Sequence, residues 1–179
     1  MVDPRTVRTM SFRLGFIAFA CVVTFFYLLP ISVGSGRWPG PDLILALAFV
    51  WVLRRPDYVP VFLVAIVMLA ADFVFLRPPG LWSALTVLAL EFLRRREPTS
   101  RDMPFAVEWA MVSGVLLAMA VLNRFVLAIF MVDQTSLGLT ILSQISTILS
   151  YPVLAVLSHS VLGMRKITAT EADEMGYVR

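Results

Sequence analysis

One cysteine and one histidine stand among 179 residues, and only 15% of the chain is charged. Each scarcity removes a class of function. Cys21 cannot close an intrachain disulfide, and no second ligand lies at metal-binding spacing. Within its apolar run it reads as a small buried hydrophobe. His159 stands between Ser158 and Ser160, with no acidic residue at helical spacing to orient it as a base. Adjacent helical residues point different ways, so this is not a catalytic triad. No carboxylate cluster suggests a metal. The glycines of "GSGRWPG" lack the Lys-Ser/Thr that a phosphate loop requires. No soluble basic face interleaved with aromatics points to nucleic acid. The expectation is a protein with no catalytic residues, no cofactor and no metal.

What the chain does have is apolar sequence, 59% of it. Soluble domains hold nearer half apolar and a quarter charged. Long apolar runs with few charges read as transmembrane helices. Pro, Gly and Arg punctuate six of them, at about 14–33, 41–53, 58–76, 80–93, 104–130 and 137–164. The expected fold is an all-α integral membrane protein, one polytopic domain over 1–179, with a mobile tail at 167–179. The first run is about 20 residues long, beyond an ordinary signal core, and reads as a retained helix. Asp42 and Asp57 are candidate caps beside Pro41 and Pro56, and Asp102 precedes Pro104 at the start of helix 5.

Charge sets orientation. With both termini cytoplasmic, the N-terminal arginines, the Arg54–Arg55 turn, the Arg94–Arg96 loop with Arg101, and the C-terminal tail all lie inside. Of the 15 basic residues only Arg37, Arg77 and Arg124 then lie elsewhere. Such a bias follows the positive-inside rule. Arg54, Arg55, Arg94, Arg95 and Arg96 are expected to anchor the inner ends in anionic lipid.

"RWPGPDLILALAFVWVLRR" and, forty residues on, "RPPGLWSALTVLALEFLRR" follow one plan. Pro-Gly makes a turn (Pro79 and Gly80 in the second copy), an apolar run follows, and a Leu-Arg-Arg stop ends it. Two readings fit: an old helix-pair duplication, or a grammar shared by any helix that runs from outside to inside. Both helices are short. About 14 residues at 1.5 Å each span about 21 Å, against a hydrocarbon core of about 30 Å. Such helices must thin the bilayer or be sheltered by longer neighbours, here helices 5 and 6.

Polar residues inside spans usually pair or line a cavity. Glu91 lies one turn before Arg94 and Arg95 and can pair with them, and Glu108 suits the first turn of helix 5. Asp72 and Arg124 fall at similar depth and are expected to form either an interhelical ion pair or a pocket. Ala110, Gly114 and Ala118 make a small-residue strip suited to internal packing or to a second helix. Thr140, Ser143, Thr147 and Ser150 form a stripe on helix 6, read as interhelical bonding or as a polar wall facing a partner or cavity. Tyr151-Pro152 predicts a kink.

The order "GPDLILALAFVWVLRRPD", then "MLAADFVFLRPPGLWSAL", then an arginine-rich stop resembles the bacterial rod shape-determining MreD family. The likeness spans most of the chain. It is most specific at 40–96, where Pro41, Asp42, Asp72, Pro79, Gly80 and Leu81 match the family pattern, and its flavour is alphaproteobacterial. The resemblance implies a fold similar to the substrate-binding membrane subunits of energy-coupling-factor vitamin transporters. It implies an inner-membrane scaffold of cell-shape control and lateral wall growth. The implied partners are the bitopic MreC, the MreB filament, RodA with a class B penicillin-binding transpeptidase, and membrane lipids. The rival reading is a small-solute transporter subunit, whose pocket would draw on Asp72, Arg124, Asn123 and the helix 6 stripe.

Overall fold

The computed structural model describes residues 4–29, 40–100 and 103–160. The expectations placed on Arg37, Arg101, Asp102, the last residues of helix 6 and the tail at 167–179 lie outside them. The described residues form six α-helices: α1 Pro4–Leu28, α2 Leu43–Arg54, α3 Val61–Val74, α4 Leu81–Ser100, α5 Phe105–Ile129 and α6 Leu137–Ser160. A 3-10 turn, Pro56–Tyr58, joins α2 to α3. Three segments are long and apolar enough to cross a membrane by themselves: Thr6–Leu28, Phe105–Ile129 and Leu137–Ser160. The chain thus has the make-up of an α-helical membrane protein.

α2 is the axis of the bundle. Asp42 caps it, accepting from the Leu45 N–H at 3.2 Å. Arg55 and Pro56 end it, because proline's ring disfavours helix in the residue before it. Between these stops almost every residue is apolar, and every residue from Ile44 to Arg54 is buried. A helix apolar on all sides is stable only when surrounded. The expected shelter is present in part: α6 covers α2, but its other chief neighbour is α4 and not α5, and α1 and α3 close the other side.

The helices alternate in direction. α1 meets the 3-10 turn early, where Phe12 stacks on Tyr58, and meets the start of α2 late, where Tyr27 donates to the Pro41 carbonyl. α2 and α6 run parallel, with Asp42 beside Thr147 and Trp51 beside Ser158. The bundle therefore has an Asp42 end and an Arg54 end.

Several boundaries depart from expectation. α1 starts ten residues early, at Pro4 rather than about 14. α4 continues past 93 to Ser100, through Arg94–Arg96 and with Pro98 in its last turn. Arginine and glutamate are good helix formers, so a charge run marks the end of an apolar stretch and not of a helix. α3 is capped by Pro60, not Asp57. α6 stays helical through Pro152, as its expected span requires. Cys21 is exposed on α1 and not buried.

α3 and α5 end alike. Leu76 and Met131 both take φ 52°, and the two residues that close each turn send their N–H groups back to the last helical carbonyls. This is a Schellman stop made without glycine. Gly80, at φ 89°, then allows the sharp entry into α4.

Candidate functional site

At the Asp42 end one carboxylate gathers three elements. Asp42 Oδ1 accepts from the Leu45 N–H. Its Oδ2 accepts from Trp82 Nε1 at 3.0 Å and from Arg77 Nη1 at 3.3 Å. The Arg77 guanidinium also lies over the Phe75 and Trp82 rings, 5.2 and 5.7 Å from their centroids. The Asp42 N–H donates to Thr147 Oγ1 at 2.9 Å, and Ser143 Oγ donates to the Gly40 carbonyl at 3.3 Å. Gly40 has no room for a side chain, since a Cβ there would collide with Tyr27 Oη.

A cavity of about 740 Å³ opens above this hub. It exists because α2 is short. α2 begins beside Thr147, about ten residues into α6, so α6 rises about 15 Å beyond the start of α2. The space left is walled by the first turns of α6, the last turns of α5 and the α3–α4 turn. Arg77, Trp82, Asn123, Asp133, Ser143 and Gln144 supply its polar lining. Gln144 is 9% exposed, and its Oε1 is buried without a hydrogen-bond partner.

Asp72 and Arg124 are not brought together. Asp72 Oδ2 accepts from the backbone N–H groups of Gly80 and Ser83, both at 3.2 Å, and so caps α4 from the end of α3. Arg124 donates to the Thr135 carbonyl and to Thr140 Oγ1, both at 3.0 Å, while Gln134 donates to the Arg124 carbonyl. Arg124 closes the α5–α6 turn and Asp72 the α3–α4 turn. Similar depth does not put two side chains on facing sides of their helices.

The helix 6 stripe also faces its own chain. Thr140 receives Arg124, Ser143 and Thr147 hold the entry to α2, and Ser150 donates to the Thr147 carbonyl. The stripe bonds internally along its length, and Thr140 and Ser143 also wall the cavity described above. The small strip on α5 does the reverse. Ala110, Gly114 and Ala118 are exposed, and a Cβ built on Gly114 meets nothing within 4 Å. The buried face of α5 is Glu108, Val112, Leu116, Met119 and Ala120.

At the Arg54 end Arg54 Nη1 lies 3.1 Å from Glu108 Oε1, with side chains 9% and 0% exposed. The Tyr151 hydroxyl donates to the same oxygen at 2.5 Å. Arg54 is thus a buried ion-pair partner and not a lipid anchor. Arg94 is spent too, donating to the Val59 carbonyl at 2.8 Å, and Arg13 holds the Asp57 carbonyl at 3.1 Å. Glu91 pairs with Arg95 at 3.0 Å, not with Arg94. Arg95 and Arg96 stay exposed, and Arg55 is half-buried. Crowding by protein lifts the Asp57 carboxyl above its ordinary value, while Arg94, Arg55 and Arg13 pull it back.

Two constellations escape a reading of the sequence: Asp42–Arg77–Trp82 and Arg54–Glu108–Tyr151. A signal existed for the second. Arg54 ends one helix and Glu108 begins another at the same end of the bundle, with opposite charge. Among the described residues no three His, Cys, Asp or Glu side chains converge as a metal site would require. No protein-family model, no curated protein and no solved structure matches the chain.

Proposed function

We propose that this chain is a non-catalytic scaffold of the bacterial inner membrane, of the MreD type, that holds the transmembrane helix of MreC and supports the peptidoglycan synthase in lateral wall growth. In this reading all six helices cross the bilayer, and the Arg54 end, with both termini, faces the cytoplasm. The alternation of helix ends supports it. Arg8, Arg13, Arg55, Arg95 and Arg96 gather at one end, and Arg77 and Arg124 lie toward the other. The roles of the motif residues support it as well. Asp42 and Asp72 each hold an apolar helix by its N-terminus, so the pattern that carries the resemblance also carries the fold.

The observation that carries the docking role is the outward strip on α5. Ala110, Gly114 and Ala118 lie exposed at every fourth position, and nothing of the chain stands over Gly114. Without side chains in the way, a second helix can bring its backbone close there, which is how membrane helices associate in the absence of a hydrophobic drive. Exposed Arg95 and Arg96 suit an acidic filament or anionic lipid beneath. The test is co-purification, in mild detergent, of the tagged protein with MreC from the same host. The parent should bring down MreC in stoichiometric amount. Gly114→Leu should lose it while melting at the parent temperature, because the space over Gly114 is clear of its own chain. Failure of the parent to bind MreC overturns the scaffold reading, and retention by Gly114→Leu moves the docking face elsewhere.

A further inference from the structure

The cavity at the Asp42 end is not needed by a scaffold, and its chemistry is particular. From it we infer that the protein binds an uncharged, hydroxyl-rich headgroup between α5 and α6, above the N-terminus of α2.

At the floor of the cavity the charges are already matched. Asp42 and Arg77 neutralise each other across 3.3 Å, and the Trp82 indole N–H is spent on the same carboxylate. Asp133, an exposed residue, sits at the mouth. The floor lies about 15 Å below the end of α6, a depth at which an unpaired charge is costly. A charged guest seated on the floor would have to break the Asp42–Arg77 pair or go unpaired. A neutral one enters without either cost.

Two carboxamides carry the recognition. Gln144 reaches the cavity from α6 and Asn123 from α5. Gln144 is nine-tenths buried, yet its carbonyl oxygen has no partner. Burying an amide without a hydrogen bond destabilises a fold, and this oxygen is closed off from the cavity until the amide turns, so a guest that draws it round completes it. An amide can turn either its C=O or its NH2 edge toward a guest, because the two have nearly the same shape. Each amide presents a donor beside an acceptor, and neighbouring hydroxyls on a sugar or polyol offer the matching pair. The Ser143 hydroxyl, which donates to Gly40, still has lone pairs to accept. Leu76, Leu127 and Leu139 supply apolar surface beside these polar groups. Hydroxyls meeting amides while carbon faces meet leucines is the balance an amphiphile's sugar headgroup or a free sugar needs.

The site is independent of MreC docking, which uses the opposite face of α5. Its test uses the full chain in phosphatidylcholine nanodiscs, read by thermal unfolding and by tryptophan fluorescence, since Trp82 lines the cavity. Glucosyl-diacylglycerol in the disc should raise the melting temperature and shift the emission, and phosphatidylserine should do neither. Gln144→Leu should weaken the glucosyl-lipid response by about tenfold, the worth of one hydrogen-bonding group. With no ligand the same variant should melt higher than the parent, because an unpaired buried carbonyl is gone. A residue that served packing alone would show the reverse. Asn123→Leu gives an independent check, with weaker binding from the α5 side. Protection by the glucosyl-lipid but not by glucose assigns a lipid headgroup, and protection by both assigns a soluble sugar. Protection by neither, or equal protection by phosphatidylserine, overturns the proposal.

Discussion

The two ends of the bundle each hold an arginine against a carboxylate, and they use the pair differently. At the Arg54 end the pair is dry, with Arg54 9% and Glu108 0% exposed and Tyr151 as a third member. At the Asp42 end Arg77 is 38% exposed, and the pair forms part of a cavity wall. A dry pair must be complete, because either partner alone is a buried charge. A part-exposed pair loses a member at less cost than a dry one, because water reaches one side of it. One end is a clasp and the other is an entrance. The length of α2 makes the difference: it runs the full depth to Arg54 but stops short at Asp42.

The largest effect should come from breaking the clasp. Glu108→Leu strands Arg54 and the Tyr151 hydroxyl, and should cost about 3–5 kcal/mol in thermal unfolding. Replacing all three together (Arg54→Met, Glu108→Leu, Tyr151→Phe) should recover most of that loss, since apolar residues of similar volume often serve as well. Asp42→Ala at the open end should cost less, about 1–2 kcal/mol, mainly for the lost helix cap. A loss equal to that of Glu108→Leu would erase the distinction between the ends.

Smaller effects sharpen it. Met131→Gly, in the turn after α5, should stabilise by about 1 kcal/mol, because φ 52° strains its side chain. The smallest concerns pH at the Arg54 end. The Asp57 carboxyl titrates above its ordinary value, so folding favours its protonated form. Its contribution is full below the unfolded value of 3.8 and fades as pH rises through the raised one. Asp57→Asn should flatten the stability profile across that window and leave it unchanged elsewhere.

Much of the architecture was legible before any coordinates. Proline, glycine and arginine punctuate the chain, so six helices and their order could be read. Asp42 as a cap could be read from its place before an apolar run. Rotation about each helix axis could not. Asp72 and Arg124 share a depth, yet each turns to a local loop whose open backbone groups are nearer than the other helix. Ala110, Gly114 and Ala118 suit an inner or an outer face equally, and the larger Val112, Leu116 and Met119 took the inner one. The arginine run after 93 looked like an ending because it stops being apolar, but it goes on being helical. The cavity was invisible because it depends on how far α6 outruns α2, a relation between segments about a hundred residues apart.

The most direct measurement is side-specific labelling in intact cells with a membrane-impermeant thiol reagent. In a Cys21→Ser background, Asp133→Cys marks the open end and Arg96→Cys marks the clasped one. The two-ended arrangement predicts that Asp133→Cys labels from outside and that Arg96→Cys labels only after the membrane is broken. Labelling of both from the same side, or of Arg96→Cys alone from outside, would contradict it.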